Sequence, residues 1–430
     1  MDNTYLDDVI SSYSFDYRYA GWSEINEDIL QEDNTPPEVL DRLYEDNKAN
    51  PRILRGLSAH PRASEELLRT LSTDMNDAVR WGVAENSATS PQVLTLLSDD
   101  AVDIIRYRVG MNPRTPIAVL EKLQNDSSNL LREGVASNPI TPLEILMKLS
   151  SDDDDTVRLA VAKNRRTSSE ILDRLSGDAS DEVRTAVAEN SNANRIILQR
   201  LAKDRDIEVR ENVAKNENTP VEVLRELLSD SETSVREGVG ENRSTPAEYL
   251  SKLAGDVKQS IRSSVARNPG ASDDILKQLS TDNDGYVRKA VARNERSSES
   301  LLTVLAKDAD WRVCESVAGN PAAPARVLEY LAGNKDTYLR KAVASNKSTP
   351  AHVLNRLATD SDWMVRENIA RNPSVPVEAL LKLADDSDWR VVKLIVKNPG
   401  MTEEALKTIS NHSNFRLRYK ARIALLEKLG

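Results

Sequence analysis

The chain has 430 residues, of which 39% are hydrophobic and 30% charged, with two phenylalanines, one cysteine and a formal net charge of −11. A single cysteine excludes an internal disulfide framework and suits a reducing compartment. No apolar run is long enough to span a membrane, and we expect no secretory signal peptide because the first ten residues hold three aspartates and no base. These features favour a cytoplasmic protein without membrane association.

Residues 1–33 form an acidic and aromatic N-terminal segment. Residues 1–50 contain thirteen acidic and three basic residues, a balance of −10, whereas the remaining 380 residues hold 56 acidic and 55 basic ones. One interpretation is a cap that covers the exposed end of the repeats that follow. The other is a segment that docks to a partner or folds back to inhibit binding. Six aromatic residues lie in this segment: Tyr5, Tyr13, Phe15, Tyr17, Tyr19 and Trp22.

Beyond this segment, an asparagine recurs every 26 residues without a slip. A fixed period of this length is typical of a solenoid, in which each repeat buries its apolar face only against its neighbours. Apolar positions within a repeat are spaced by three and four residues, which predicts helices and not strands. The thirteen positions are Asn86, Asn112, Asn138, Asn164, Asn190, Asn216, Asn242, Asn268, Asn294, Asn320, Asn346, Asn372 and Asn398.

Each repeat is predicted to contain two short helices. Four residues after the asparagine stands a proline, or a serine, threonine or asparagine, so the first helix should begin there with proline as its first residue. The second helix carries the pattern V-R-x-x-V-A-x-N and ends at the asparagine. Helices of about nine residues are unstable alone in water, so the repeats must stack.

Two polar positions recur with the asparagine. An arginine stands six residues before it in eleven of the thirteen repeats, and an aspartate commonly stands six residues before that arginine. We interpret the pair as a ladder of charge-assisted hydrogen bonds between repeats. Val392 replaces the arginine where Val396 replaces the small residue one turn later, which indicates buried packing at this position. The asparagine itself is expected to adopt the left-handed conformation and to bond to neighbouring backbone.

The repeat V-R-x-x-V-A-x-N-P-x-T-P-x-E-V-L-x-x-L-A-x-D resembles that of the leucine-rich repeat variant family, and residues 365–386 provide one instance. The resemblance covers residues 34–410 and implies an all-α fold. It implies a right-handed superhelical solenoid, related to HEAT and armadillo repeats, with two short helices per repeat, one of which could be a 3-10 helix. Residues 411–430 are expected to form a basic C-terminal capping helix. Some family members carry a cysteine-rich iron–sulfur module, which a chain with one cysteine does not match, so we expect no cofactor.

We predict no enzymatic activity. His60, His352 and His412 occupy three different repeat positions, so they give no metal-ligand spacing. Cys314 takes an arginine position and has no histidine near it in sequence, which favours a packed thiol over a nucleophile. The chain also lacks a glycine-rich phosphate-binding loop. No catalytic residue, cofactor-binding residue or metal ligand is therefore predicted.

Residues that break the repetition concentrate toward the C-terminus. Aromatic residues share one position before the second helix, and basic residues hold the exposed positions five and one before the asparagine. The aromatics could cover the seam between repeats, or they could form a binding strip, since exposed tryptophan and arginine favour binding hot spots. The candidate partner-binding residues are Trp311, Trp363, Trp389, Phe415, Lys341, Arg371, Lys393 and Lys397.

These observations predict a non-catalytic protein–protein interaction scaffold. Aromatic residues flanked by cations suit an acidic protein partner. One alternative is a nucleic-acid-binding solenoid that uses the basic C-terminal face, although the neutral charge balance of the repeats argues against it. The other is an accessory factor that presents a client to an enzyme. The chain is expected to be a monomer or to self-associate weakly through its N-terminal segment.

Overall fold

The repeats fold into pairs of α-helices. The computed structural model describes residue 30, residues 35–414 and residues 417, 418, 420–422, 424 and 425. This part of the chain contains helices and no strand, so the predicted all-α class is confirmed. None of its helices is long and apolar enough to cross a membrane. The chain divides into two compact units, Met1–Asn218 and Thr219–Gly430.

The described residues of the first unit contain the helices α1 to α14. Their bounds are α1 Pro37–Asp46, α2 Pro51–Ala59, α3 Glu65–Leu71, α4 Asp77–Glu85, α5 Pro91–Leu97, α6 Asp103–Met111, α7 Ile117–Leu123, α8 Asn129–Ser137, α9 Leu143–Leu149, α10 Asp155–Lys163, α11 Ser169–Leu175, α12 Asp181–Glu189, α13 Arg195–Leu201 and α14 Ile207–Lys215.

The described residues of the second unit contain the helices α15 to α29. Their bounds are α15 Val221–Leu227, α16 Thr233–Glu241, α17 Ala247–Leu253, α18 Gln259–Arg267, α19 Asp273–Leu279, α20 Gly285–Arg293, α21 Glu299–Leu305, α22 Trp311–Gly319, α23 Ala325–Leu331, α24 Thr337–Ser345, α25 Ala351–Leu357, α26 Trp363–Arg371, α27 Val377–Leu383, α28 Trp389–Ile395 and α29 Glu403–Ile409.

Where the repeated proline is present, the first helix begins one residue later than predicted. Pro116 has φ −58° and ψ 143°, so it is extended and precedes α7, and its carbonyl accepts hydrogen bonds from the N–H groups of Val119 and Leu120 at 2.9 and 3.2 Å. The first helix therefore has seven residues, because a φ near −60° suits both a helix and an extended chain and only ψ separates them. The same placement holds at Pro142, Pro220, Pro246, Pro324, Pro350 and Pro376.

The core of each repeat consists of aliphatic residues from both helices. Leu146 and Leu149 of α9 and Val157 and Val161 of α10 are between 0% and 2% exposed. Within each unit, the second helix of one repeat packs against the second helix of the next repeat. A Cβ atom at Gly134 of α8 would lie 2.8 Å from a backbone oxygen of α6, so the approach of these two helices requires glycine there. Burial of this kind stabilises a structure whose separate helices are too short to persist.

The repeated asparagine connects each repeat to the one before it. The Nδ2 atom of Asn164 donates to the carbonyls of Ala136 and Asn138 at 2.7 and 2.9 Å, and its Oδ1 accepts from the N–H of Arg166 at 2.9 Å. The side chain is buried, so each of these polar atoms needs a partner. Asparagine is the short side chain that offers two donors and an acceptor together, which explains why this residue recurs.

The predicted left-handed conformation of the asparagine is wrong. Asn164 has φ −68° and ψ 126°, and no described residue has a positive φ. The extended backbone directs the amide toward the preceding repeat, where its hydrogen bonds form. His60, which takes the asparagine position at the start of the array, reproduces the bond that the asparagine Oδ1 accepts within its own repeat: its Nδ1 accepts from the N–H of Arg62 at 3.1 Å.

The predicted arginine ladder is present, but its carboxylate lies in the following repeat. Arg158 donates through Nε and Nη2 to Asp178 at 2.7 and 3.0 Å, and through Nη1 to the backbone oxygen of Asp152 at 2.8 Å. The residue six positions before such an arginine, an aspartate except at Asn334, therefore supplies its backbone carbonyl to that arginine. Arginines paired with an aspartate 20 residues later include Arg80, Arg132, Arg158, Arg184, Arg236, Arg262, Arg288, Arg340 and Arg366.

Where the arginine is absent, its aspartate is absent too. Cys314 holds one arginine position, and the residue 20 positions later is Asn334. Val392 holds another, and the residue 20 positions later is His412. A buried carboxylate without its guanidinium would be destabilising, so the two positions change together. Arg106 is a further exception, because its guanidinium binds Asp103 of its own helix at 2.7 Å.

Two predicted segments, residues 1–33 and 411–430, are only partly described. Of residues 1–33 only Leu30 is described, and it packs against α2, since a Cβ atom at Gly56 would lie 2.5 Å from the Leu30 side chain. In the C-terminal segment, Leu417 and Ala421 are helical and buried, whereas Phe415 is outside the described residues.

Candidate functional site

The surface that varies between repeats is the outer row of the second helices. Residues nine, five and one before the asparagine are four apart, so they lie on one face of the helix. The structure therefore places the predicted aromatic and basic residues of one repeat in a single row. In the last two full repeats these rows are Trp363, Glu367 and Arg371 in α26, and Trp389, Lys393 and Lys397 in α28 and the turn after it.

Each predicted tryptophan is the first residue of a second helix and not part of the preceding loop. Trp311, Trp363 and Trp389 begin α22, α26 and α28. The residue before each is an aspartate that caps the helix; the Asp388 carboxylate, for example, accepts from the N–H of Arg390 at 2.9 Å. Trp311 is 47% exposed, and the other two tryptophans are half-buried.

Arg390 is held against the ring of Trp363 in the preceding repeat. Its Cζ lies 3.4 Å from the ring centroid, and its Nε and Nη2 bind the Asp388 carboxylate at 3.0 and 2.6 Å. The hydrogen bonds from Arg390 lower the pKa of Asp388 to about 2. The Nη1 atom makes no hydrogen bond to the described residues, and the side chain is 53% exposed. The guanidinium is thus fixed in position with donors still accessible.

Arg312 forms a second arrangement of the same kind. Its Cζ lies 4.8 Å from the Tyr286 ring centroid, its Nη1 donates to the Tyr286 hydroxyl at 3.1 Å, and its Nη2 binds Asp310 at 2.8 Å. Hydrogen bonding from Arg312 lowers the pKa of Asp310. Neither of the two arginines nor Tyr286 was predicted as a site residue, although Asp-Trp-Arg occurs at residues 310–312 and again at 388–390.

Trp311 spans a seam at which the arginine ladder is interrupted. Its ring centroid lies 5.9 Å from that of Tyr338 in the next repeat, with an interplanar angle of 36°. This is the seam at which Cys314 and Asn334 replace the arginine and the aspartate. The aromatic pair therefore packs across the repeats at a place that has no ion pair of the ladder. At Trp311 the geometry matches the seam-covering interpretation, whereas Trp363 positions an arginine.

The predicted basic residues differ in their exposure and in whether an acidic side chain pairs with them. Arg371 binds Glu367 at 2.9 Å, and Lys341 is half-buried. Lys393 and Lys397 are exposed and form no ion pair within the described residues. We define the C-terminal aromatic surface as Trp311, Tyr338, Lys341, Trp363, Arg371, Trp389, Arg390, Lys393 and Lys397.

The first unit carries a separate aromatic cluster on its second helices, which the sequence analysis also missed. The Arg108 guanidinium lies 5.0 Å from the Trp81 ring centroid and 5.7 Å from that of Tyr107, and it binds Glu85 at 3.1 Å. Burial raises the pKa of the neighbouring Glu133 carboxyl, which shares a hydrogen bond with Tyr107. The cluster joins three successive repeats through its aromatic rings and the Arg108–Glu85 ion pair, which indicates packing between helices.

Two open depressions lie beside the second helices of the second unit. One has a volume of about 230 Å³ and includes Arg267 and Tyr286, and the other has about 480 Å³ and surrounds Gly319. Polar and charged residues make up most of both linings. Such linings differ from the mainly apolar pockets that bind small molecules.

The described residues do not assemble a recognisable catalytic group. Within them, no cluster of three His, Cys, Asp or Glu side chains could hold a metal ion. His352 and His412 bind separate carboxylates, Glu329 and Asp385, at 3.3 and 2.9 Å. Cys314 is buried, its Sγ lies 3.4 Å from the carbonyls of residues 306 and 308, and burial raises the pKa of its thiol. A thiol in this state is a poor nucleophile.

Comparison with known proteins agrees with the repeat pattern. The model of the family described as leucine rich repeat variant matches residues 207–232 and 363–388. A comparison with the curated proteins found no match. Among solved structures, one described as a leucine-rich repeat variant with a novel repetitive structural motif is 27% identical, with a TM-score of 0.38, over 51% of this chain and 87% of that one.

Two other solved structures are more distant. An engineered protein is 17% identical over 98% of both chains, with a TM-score of 0.19. Kap95p, from a complex with RanGDP, is 12% identical over 94% of this chain and 60% of its own, with a TM-score of 0.30. The other repeats of the chain keep the same register as the two that match. The chain thus contains repeats of the leucine-rich repeat variant type, and its described residues are built from paired helices.

Proposed function

We propose that the chain is a non-catalytic protein-interaction scaffold, and that its partner-binding site is the C-terminal aromatic surface. Within each unit the stacked repeats support one another, because each is joined to the next by core packing, by the asparagine and, at most seams, by an arginine–aspartate pair. The free, buried state of Cys314 suits a reducing compartment such as the cytoplasm.

The observation that carries this proposal is the fixed guanidinium of Arg390. Trp363 supports one face of the group and Asp388 holds one edge, while Nη1 makes no hydrogen bond to the described residues. A fixed group loses little conformational entropy when it binds, so its contacts convert efficiently into affinity. Arginine and tryptophan are also the residues that dominate binding hot spots.

The chemistry of the surface favours an acidic partner segment that also carries apolar side chains. Lys393 and Lys397 add two exposed cations on the same helix face as Trp389. Opposite charge raises the association rate and selects the partner, whereas the aromatic residues supply buried contact area.

The proposal is tested by affinity purification with the full chain and with the double variant Trp363→Ala, Trp389→Ala. A protein that binds the parent should be lost or strongly reduced with the variant, while the far-ultraviolet circular dichroism spectrum stays the same. Direct binding of that protein, measured by calorimetry with purified components, should weaken by about tenfold or more, as expected for loss of hot-spot residues.

The matched control is Lys277→Glu with Lys382→Glu, which changes two exposed cations on the first helices α19 and α27. This control should retain the partner. Equal binding by the parent and the tryptophan variant would refute the site. A loss of thermal stability in the tryptophan variant would instead assign the aromatics to packing between repeats.

A further inference from the structure

We propose that the C-terminal aromatic surface binds residues 1–33 of a second copy of the chain. This inference rests on the proposed function and names one occupant of the same site. It is carried by the match between the charge and aromatic content of that segment and the groups that α26 and α28 present. It predicts self-association that depends on ionic strength.

Charge complementarity is the first support. Residues 1–33 contain nine acidic residues and one basic residue, Arg18, a balance of −8. On α28 and the turn after it, Lys393 and Lys397 are exposed without an ion pair to the described residues, and Arg390 keeps its Nη1 unbonded among them. Such cations have lost little of their attraction to an incoming carboxylate, whereas Arg371 is already partly neutralised by Glu367.

Aromatic complementarity is the second support. The segment holds six aromatic side chains, which lie among its acidic residues in the sequence. Trp363 covers one face of the Arg390 guanidinium, and the other face can stack on an aromatic ring of the segment. One extended segment could thus place a carboxylate on a lysine and a ring on Arg390.

The segment is long enough for this role. The 29 residues before Leu30, which packs against α2, would reach on the order of 100 Å if extended, whereas the row from Trp389 to Lys397 spans roughly 12 Å along the helix axis. Only a few residues need to contact the row. The aromatic residues between 13 and 22 are flanked by Asp16, Glu24 and the acids at 7 and 8.

The test uses the full chain and a labelled synthetic peptide of residues 1–33. Fluorescence anisotropy should show binding that weakens steeply with salt, and a scrambled peptide of equal composition should bind about tenfold more weakly, because the order of charges and rings then no longer fits. The variant Arg390→Glu with Lys393→Glu should lose binding of the native peptide. Lys277→Glu with Lys382→Glu, the same charge change on other helices, should not.

A charge exchange provides the sharper test. A peptide with Asp7→Lys, Asp8→Lys and Asp16→Lys should fail on the parent chain and bind the Arg390→Glu, Lys393→Glu variant. In sedimentation velocity, the parent chain should associate with increasing concentration and this variant should not. All these positions on the chain are exposed or half-exposed, so circular dichroism and melting temperature should be unchanged.

The possible failures are distinguishable. If native and scrambled peptides bind the surface equally, it accepts acidic aromatic segments in general, which overturns this inference and leaves the proposed function standing. If peptide binding ignores the reversal at Arg390 and Lys393, the inference is wrong at this surface. If, in addition, the tryptophan variant keeps every partner of the parent, the proposed function falls as well. A chain that remains monomeric at all concentrations also overturns the inference.

Discussion

Replacement of Arg184 by alanine should open the contact between two repeats of the first unit. The arginine donates to the Asp204 carboxylate at 2.7 and 3.0 Å and to the backbone oxygens of Asp178 and Ala179 at 2.9 and 3.2 Å. Its side chain is 7% exposed, the lowest fraction among the paired arginines. One substitution therefore removes a buried ion pair and leaves two carbonyls without that donor.

The magnitude follows from the carboxylate that stays behind. Breaking a buried pair by removal of one partner costs about 3–5 kcal/mol, mainly because the remaining charge is uncompensated. Asp204 keeps a hydrogen bond from the N–H of Asp206 at 2.9 Å and can take up a proton, so we expect a loss of about 3 kcal/mol, near the lower end of that range. The chain itself offers the compensated alternative, since Cys314 is matched by Asn334.

A double-mutant cycle tests this reasoning. Arg184→Cys and Asp204→Asn should each be destabilising, and the double variant should cost about 2 kcal/mol less than the sum of the two. Because a long repeat array does not unfold in a single step, the assay is hydrogen exchange of the peptides that cover α12 and α14, with α4 as the internal control. Additive effects of the two substitutions would refute the coupling, and unchanged exchange would refute the buried ladder.

Three further predictions concern the scaffold. Burial raises the pKa of Asp178, but hydrogen bonds from Arg158 and a backbone N–H lower it on balance, and the other ladder aspartates behave alike. The pKa of these aspartates in the folded chain is therefore below the value of about 3.9 for unfolded aspartate. The stabilisation that the ionised aspartates contribute to folding is complete above a pH of about 4 and is lost as the pH falls further. Acid titration by circular dichroism should therefore show unfolding below that pH, and full helicity at pH 2 would contradict it. Asn164→Asp removes both donors to the preceding repeat and faces a carboxylate toward carbonyls, so hydrogen exchange of the peptides that cover α8 and α10 should show a local loss of about 2–4 kcal/mol, whereas unchanged exchange would refute the asparagine ladder. Gly319→Ala should stabilise by about 0.5–1 kcal/mol, because its Cβ would meet no atom within 4 Å, while Gly134→Ala should destabilise through its contact at 2.8 Å. Melting temperatures that shift in opposite directions in the two variants would confirm this prediction, and shifts in the same direction would contradict it.

The aromatic surface was only partly predictable. The sequence identified Trp363 and Trp389 because they share a repeat position, and their place on one helix face with Lys393 and Lys397 follows from spacing alone. It did not identify Arg390, because an arginine one position later stacks on the previous repeat only after the helices have been placed side by side. Phe415 lies outside the described residues, so its role remains a prediction.

The sequence by itself determined the period, the two helices of each repeat and the residues that fill the core, because these depend on local spacing and on burial that every repeat shares. It also showed that the asparagine and the arginine serve the structure. Only the tertiary structure decided their partners. Asn164 bonds to residues 26 and 28 positions earlier, and Arg158 pairs with an aspartate 20 positions later. In a strict repeat, an aspartate six residues before the arginine and one 20 residues after it are equally regular in the sequence. The distance between successive repeats in the folded chain decides which of these aspartates pairs with the arginine.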